Sequence, residues 1–185
     1  MCYTNFLLGF AFFTTIFKTC QVIIRTSNIG KTFCEKYKIS TNGIYDLSNK
    51  FTSSSFAILS CIVGWRTFSQ CHGDIMLDRF IYIDHYMVFA ASYFIYDIMS
   101  MFIVHNTLKK DTISVRLSDI QRFITDNPLI IFHHFLIPFI IVILNKYRND
   151  IGDCIIASIL LLEASTPFVS FRVVLTRLNL KVTFI

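Results

Sequence analysis

Five stretches of the chain are apolar enough, and nearly long enough, to cross a lipid bilayer as α-helices. A spanning helix needs about 20 mostly apolar residues, and the hydrophobic pattern places such windows at 4–24, 52–69, 81–104, 128–145 and 151–175. The apolar runs are continuous, whereas membrane β-strands show alternating segments of about ten residues. The pattern therefore predicts an all-α fold, a multi-pass transmembrane helical bundle of about five spanning helices.

The composition of the chain supports a membrane location. Of its 185 residues, 54% are hydrophobic and only 16% are charged, whereas roughly 25% are charged in soluble domains. A soluble fold of this length has too little interior for so much apolar surface, so the surplus must face lipid. The first window contains Lys18 and lacks a basic segment before it. We therefore interpret it as a retained helix rather than a cleaved signal peptide.

The distribution of Lys and Arg predicts the orientation of the helices. Twelve of these residues lie in 25–50, 105–127 and the C-terminal end, which a five-helix chain places on one side of the membrane, and four lie on the other side. Cationic loops favour the cytosol, so we expect a lumenal or extracellular N-terminus and a cytosolic C-terminus. This distribution accounts for the net charge of +5. It leaves no basic stripe with interleaved aromatics that would indicate nucleic-acid binding.

The second basic segment, 105–127, is predicted to contain a short interfacial helix. Its later part places Asp119 and Arg122 in water. We expect the fourth spanning helix to begin at Asn127 and Pro128, because proline suits the first turn of a helix.

The six cysteines are scattered and form no C-x-x-C pair. We interpret them as small apolar fillers and predict no metal site. His72, His85 and His105 lie in a loop or near the ends of the third window, and we assign them structural roles.

Four ionisable residues fall inside the predicted spans, namely Asp97, His133, His134 and Glu163. A charge there costs roughly 2.5–3.5 kcal/mol on insertion scales, so such groups usually face the bundle interior. Histidine can act as a general base at neutral pH, and nearby carboxylates can orient it. Adjacent histidines point about 100° apart on a helix, so at most one of the pair faces a cavity well. For Asp97 alone, a packing role is an equal alternative.

Two prolines, Pro138 and Pro167, are predicted to bend the fourth and fifth helices and to open space between them. These two helices are joined by a short connection, so we expect them to be antiparallel neighbours with Glu163 facing the histidines. The i, i+3, i+7 spacing brings polar residues of the fifth helix onto one face. The predicted substrate cavity is lined by Tyr96, Thr166, Pro167 and Ser170.

Four motifs in register resemble those of the TLC-domain family. They are the run Leu161-Leu-Glu-Ala-Ser-Thr-Pro-Phe168, the pair Tyr93 and Asp97, the segment Phe132-His-His134, and Gly152-Asp153. The chain looks most like the TLC domain-containing 3 branch and is distantly similar to ceramide synthases. The resemblance divides the chain into 1–44 (first transmembrane helix and basic loop), 45–178 (an incomplete TLC-like transmembrane domain) and 179–185 (short tail). Family members carry one or two further helices, so we expect a truncated isoform or an incomplete gene model.

The resemblance implies a role in lipid metabolism. Ceramide synthases transfer a fatty acyl group from acyl-CoA to the amine of a sphingoid base, with the His pair as acyl-transfer residues. Carried over, the catalytic set is His133, His134, Asp97 and Glu163. Acyl-CoA is then a co-substrate, no resident cofactor is needed, and the partners are membrane lipids, acyl-CoA and sphingoid base. The family implies the endoplasmic reticulum, with the plasma membrane as an alternative.

One departure from ceramide synthases favours a different role. After their His pair these enzymes continue with a long polar signature, whereas this chain reads Phe135-Leu-Ile-Pro-Phe139. The alternative function is non-catalytic lipid binding or sensing, or control of membrane lipid composition. The oligomeric state is not encoded in any pattern that we identify.

Overall fold

The structure is a computed structural model and describes residues 2–72, 75–110, 116–147, 152–178 and 180. Within these ranges the chain is helical and contains no strand, so the predicted all-α class is confirmed. The helices are α1 (Cys2–Thr26), α2 (Asn28–Lys36), α3 (Thr41–Phe68), α4 (Ile81–Lys110), α5 (Leu117–Asp126), α6 (Pro128–Tyr147), α7 (Asp153–Leu161) and α8 (Thr166–Arg177). A 3-10 turn, Leu162–Ser165, joins α7 to α8.

Fewer helices than expected meet the length and composition of a membrane span. Three described segments do so, Tyr3–Thr26, Ile81–Thr107 and Asp153–Arg177. A fourth is added if Leu117–Asp126 and Pro128–Ile140, which are bent by 93° relative to each other, count as one span. The chain is thus a helical membrane bundle, but the expected 52–69 span does not qualify. That window lies within α3, which is 28 residues long but less apolar than the qualifying segments.

Helix α3 tolerates its polar residues because most of them face other helices, whereas apolar residues such as Ile58, Ile62 and Trp65 form its exposed face. It packs against α1, α4, α7 and α8. At about 1.5 Å per residue it is roughly 42 Å long, which exceeds the ~30 Å hydrocarbon core of a bilayer. Its buried polar side chains are Asp46, Ser48, Asn49, Thr52, Ser60 and Thr67. Composition alone therefore understates how deeply this helix lies in the bundle.

A series of hydroxyl contacts shows that α3 and α4 run in opposite directions. The pairs are Ser53 with Tyr93 (2.6 Å), Ser60 with Tyr86 (2.7 Å) and Thr67 with Tyr82 (3.0 Å). The α3 members recur every seven residues, so they share one face of the helix. We call this contact the α3–α4 seam. Buried polar pairs of this kind hold membrane helices together, because each hydroxyl otherwise faces hydrocarbon.

Helix α1 runs in the same direction as α4. The Asn5 Nδ2 atom lies 2.9 Å from His85 Nδ1 at one end of the pair, and the rings of Phe17 and Tyr96 meet further along both helices. The two helices approach closely at Gly9, where an added Cβ would lie 2.7 Å from the Phe89 carbonyl oxygen. The directions of α1, α3 and α4 therefore alternate as the predicted orientation requires.

The interior of this three-helix group is aromatic. Phe13 is fully buried and contacts the rings of Phe56 and Tyr93, and the latter two stack at 3.9 Å between centroids. These contacts fix the rotation of α4 about its axis. As a result, Asp97, one residue beyond Tyr96, is held inside the bundle at 4% exposed.

Two cysteines correct the interpretation of all six as apolar fillers. Cys71, after α3, and Cys154, in the first turn of α7, form a disulfide across 83 residues of sequence. No local spacing reveals a pair so far apart. Both cysteines lie at the end of the bundle that the predicted orientation assigns to the lumen or the exterior, where disulfides persist.

An ionic contact reinforces the same end of the bundle. Asp153 is fully buried, accepts a hydrogen bond from the backbone N–H of Phe80, and lies 3.4 Å from Arg79 Nη1. Gly152 precedes it with φ +81°, a conformation that glycine adopts without steric cost. The Gly-Asp pair thus positions the start of α7 against the α3–α4 connection.

Two short helices flank the opposite end. Helix α2 lies within the stretch that was expected to be a loop. Ser27 begins it as an N-cap that accepts a hydrogen bond from the Gly30 N–H (3.0 Å). Helix α5 and the start of α6 at Pro128 confirm the predicted short helix and boundary. Asp119, however, is buried (2% exposed) rather than in water, because it shares the face of α5 that carries buried Phe123.

We predict that Cys71→Ser and Cys154→Ser each lower the thermal stability of the purified protein to the same extent. A disulfide typically contributes about 2–4 kcal/mol by restricting the unfolded chain. Differential scanning fluorimetry measures the loss, and thiol labelling under denaturing conditions reports the oxidised pair. Cys34→Ser is the control, because Cys34 is a free thiol on α2. Labelling of Cys71 and Cys154 without reductant would contradict the assignment.

Candidate functional site

The candidate site begins with one contact between an imidazole and a carboxyl group, which joins α6 to α4. The Nε2 atom of His134 lies 3.4 Å from Asp97 Oδ2, and the two side chains are 11% and 6% exposed. The His134 ring also packs edge-on against Phe94, one turn before Asp97 on α4, at 5.5 Å between centroids. A buried carboxylate and an imidazole are therefore held together in a mostly apolar part of the bundle.

Asp97 is held by polar groups of α3 and α4. The Ser100 hydroxyl donates to Asn49 Oδ1 at 2.6 Å and lies 3.4 Å from Asp97 Oδ1. Asn49 and Ser100 are 4% and 2% exposed. Partners of this kind fix the orientation of a carboxylate that in turn orients a histidine. Sequence reasoning missed Asn49 and Ser100. For Asn49 the signal was a row of polar residues on α3. Helix α3 begins eleven residues before the predicted window 52–69, so Asn49 lay outside that window.

Only one of the two adjacent histidines faces the interior. His134 is partly buried beside Asp97, whereas His133 lies on the exposed surface of α6. The Nδ1 atom of His134 is buried and has no hydrogen-bond partner in the part of the chain that the structure describes. Because Asp97 stands at Nε2, it favours the tautomer with hydrogen on Nε2, which leaves the lone pair on Nδ1. The structure thus distinguishes the two rings, since His134 is held beside Asp97 inside the bundle and His133 lies at the surface.

An apolar cavity of about 200 Å³ lies next to this pair. It is enclosed by α3, α4, α6 and α7, and Phe94 forms part of its wall. Ile137, one turn after His134 on α6, forms another part. Glu163 contributes the one ionisable side chain among the described lining residues. The arrangement offers a small hydrophobic chamber with the carboxyl group of Glu163 in its wall, and the His134 ring lies behind Phe94, which forms part of that wall.

Glu163 and the histidines do not form the single cluster that the sequence suggested. The Thr166 hydroxyl donates to Glu163 Oε2 at 2.9 Å. Along their described lengths, α6 packs on α4 and α5 while α7 packs on α3, and the two helices make no extended contact. Over their described residues the two helices face each other across the cavity, which both of them line. The 3-10 turn does fall directly before Pro167, whereas α6 continues through Pro138.

The residues predicted to line one cavity are divided among three places. Tyr96 is buried in the core, where its hydroxyl donates to Asn49 at 3.5 Å. Thr166 bonds Glu163. Pro167 and Ser170 line a separate groove of about 550 Å³ at the other side of α3. The i, i+3, i+7 spacing was interpreted as one wall, but Glu163 lies in the 3-10 turn while Ser170 lies on α8, so the two do not share the face of one regular helix.

One further group of potential metal ligands occurs among the described residues. The ligand atoms of Cys71, Asp78 and Cys154 lie within 4.8 Å of one another. Two of the three are the disulfide-bonded sulfurs, which lack the thiolate that a metal requires. In this state the group has no metal-binding chemistry.

The fold and the site together define a class, namely helical membrane proteins with a buried His–Asp pair beside an apolar cavity. A comparison with family models identifies the group within that class. The model of the TLC domain matches residues 46–185. The chain therefore belongs to the TLC-domain family, and both members of the His134–Asp97 pair lie inside the matched region. No solved structure matches the chain.

We predict that the two histidines differ sharply in their effect on stability. His134→Ala leaves Asp97 buried without its partner, which should lower the free energy of unfolding by about 1–3 kcal/mol. His133→Ala removes an exposed ring and should change it by less than about 0.5 kcal/mol. Thermal unfolding of both variants in the same detergent measures the difference. Equal destabilisation would contradict the placement of the two rings.

Proposed function

We propose that this TLC-domain protein transfers a fatty acyl group from acyl-CoA to the amine of a sphingoid base. The observation that carries the proposal is the His134 imidazole, whose Nδ1 is buried and unpaired among the described residues while Asp97 occupies Nε2. Family membership supports the broader statement that this is a membrane protein of lipid-related function. The reaction and the substrates are our inference from the site.

The proposed step uses His134 as a general base. The neutral amine attacks the thioester carbonyl carbon and gives a proton to His134 Nδ1. The C–N bond forms, the C–S bond breaks, and the coenzyme A thiolate takes that proton as it leaves, so the imidazole is regenerated. Asp97 stabilises the transient imidazolium without itself accepting the proton. General-base assistance of this kind contributes typically 10²- to 10⁴-fold in rate.

The remaining site residues take supporting roles in this scheme. The apolar cavity suits hydrocarbon chains, and Glu163 in its wall is suited to pairing with the ammonium form of an approaching amine. His133 has no direct part, since its ring lies on the outer face of α6. The predicted orientation puts the pair in the cytosolic half of the bilayer, which acyl-CoA reaches from water. We propose the endoplasmic reticulum as the compartment.

A second function is favoured by a different observation. The α6 segment after the His pair is apolar, and its Phe135 and Phe139 are exposed at 59% and 64%. These rings offer a surface for lipid chains and no further polar groups for catalysis. The second candidate is therefore a non-catalytic lipid-binding protein that uses the same cavity.

The full-length protein in lipid nanodiscs, supplied with labelled acyl-CoA and sphingoid base, should form an N-acyl product. We expect His134→Ala and Asp97→Ala to reduce the rate by at least about 10²-fold. His133→Ala should retain most of the activity, because it leaves the pair intact.

Three outcomes separate the candidates. An equal loss in the two histidine variants would sink the assignment of His134 as the base. No product from the wild type, together with a co-purified lipid lost in a cavity-filling Ala90→Leu variant, would favour the non-catalytic role. Co-purified lipid is identified by mass spectrometry of the extracted protein.

A further inference from the structure

The larger groove, of about 550 Å³, lies apart from the site described above. Its walls come from the end of α1, from α2, from the first half of α3 and from α8. The α1 and α2 walls precede residue 46 and so lie outside the region that matches the TLC domain. Its volume is within the range of ligand pockets, about 300–1,000 Å³. The groove is therefore a feature that the family assignment does not account for.

Helix α2 forms the outer wall of the groove because the chain folds back directly after α1. Ser27 caps α2, and at Gly30 a Cβ would lie only 2.3 Å from the backbone oxygen of Ile24. Glycine is thus required for α2 to approach the end of α1. Ile29 and Phe33, one turn apart, then face the groove. Lys31 and Lys36 are exposed, which is the pattern of a helix at a membrane surface.

The groove is apolar except for one charge. Lys50 is its one ionised side chain among the described lining residues, and Ser54 and Ser170 add hydroxyl groups. Lys50 lies nine residues into α3, or about 14 Å along the helix axis. An anion that accompanies a lysine beside apolar walls lowers the cost of its charge.

No described carboxylate lies within ion-pair distance of Lys50. Asp46, one turn before Lys50, is held by Arg177 of α8 at 3.1 Å (Asp46 Oδ2 to Arg177 Nε). The Lys50 charge also acts on Asp97 and on His134, but without a direct contact at that distance. Lys50 thus forms no ion pair within the described part of the chain, and its side chain lines an apolar groove.

We infer that this groove binds a long-chain fatty acid, with the carboxylate at Lys50 and the hydrocarbon chain between α1, α2 and α8. One cation matches a single negative charge, whereas a phosphate monoester carries more charge than Lys50 alone can balance. The apolar walls match an alkyl chain, and the hydroxyls of Ser54 and Ser170 can donate to the carboxylate. Binding at this site is separate from acyl transfer at His134.

The direct test is saturation binding of radiolabelled palmitate to the full-length protein in phosphatidylcholine nanodiscs. We expect saturable binding that Lys50→Gln weakens about tenfold or more, since a charge-assisted contact is typically worth about 1.5–3 kcal/mol. Lys18→Gln is the matched control. It removes the same charge from an exposed position on α1, outside the groove, and should leave binding unchanged. Hexadecanol, which has the chain without the charge, should compete poorly.

A second readout does not depend on any variant at Lys50. Cys20 is a free thiol that lines the groove, whereas Cys61 is a free thiol on α3 outside it. Palmitate should slow alkylation of Cys20 and leave Cys61 unaffected, as measured by peptide mass spectrometry. Palmitoyl-CoA and lysophosphatidic acid are the comparison ligands, and neither should protect Cys20 as well as palmitate does.

The inference is overturned if palmitate does not saturate, if hexadecanol or lysophosphatidic acid binds equally well, or if Lys50→Gln and Lys18→Gln behave alike. The palmitate-binding experiment and the acyl-transfer experiment can fail separately. His134→Ala should abolish N-acyl product and retain palmitate binding. Lys50→Gln should weaken palmitate binding even if the wild type makes no product.

Discussion

Helix α3 carries more polar side chains than a lipid-facing helix tolerates, and the rest of the bundle is arranged to cover them. Four helices pack against it, and α4 provides tyrosine hydroxyls opposite its serines and threonine. Because unsatisfied polar groups are costly in hydrocarbon, this seam fixes the spacing, direction and rotation of the two helices. The aromatic core around Phe13 then holds α1 to the same pair.

The position of the His134–Asp97 site follows from the α3–α4 seam. Continued toward the end of α4, the same polar contact passes from tyrosine pairs to Asn49, Ser100 and Asp97. Asp97 presents its second oxygen to α6 and so selects His134 rather than His133. The opposite face of α3 carries Lys50 toward the other groove. Helix α3 therefore separates two apolar spaces. The smaller one has the carboxyl group of Glu163 in its lining, and the larger one has Lys50.

Sequence reasoning succeeded where a single property decides the structure. Continuous apolar runs predicted the helical class, and Asn127-Pro128 predicted the start of α6. Ionisable residues in apolar windows singled out Asp97 and His134, which the fold brings within 3.4 Å of each other. It failed where distant segments decide the outcome. The window 52–69 understated α3, because its covering helices are not visible in its own residues. The Cys71–Cys154 bond joins positions 83 residues apart, and the separation of Glu163 from His134 depends on a cavity between α6 and α7.

The most direct test of this account is the protonation state of His134, measured by ¹⁵N nuclear magnetic resonance on histidine-labelled protein in bilayers at neutral pH. We expect hydrogen on Nε2 and none on Nδ1, with the Nε2 signal shifted by Asp97→Asn. Asp126→Asn is the control. Its carboxylate lies 2.9 Å from His105 Nε2, so it should shift the His105 signal and leave that of His134 unchanged. Hydrogen on Nδ1, or a His134 spectrum indifferent to Asp97→Asn, would contradict the paired geometry on which the proposed site rests.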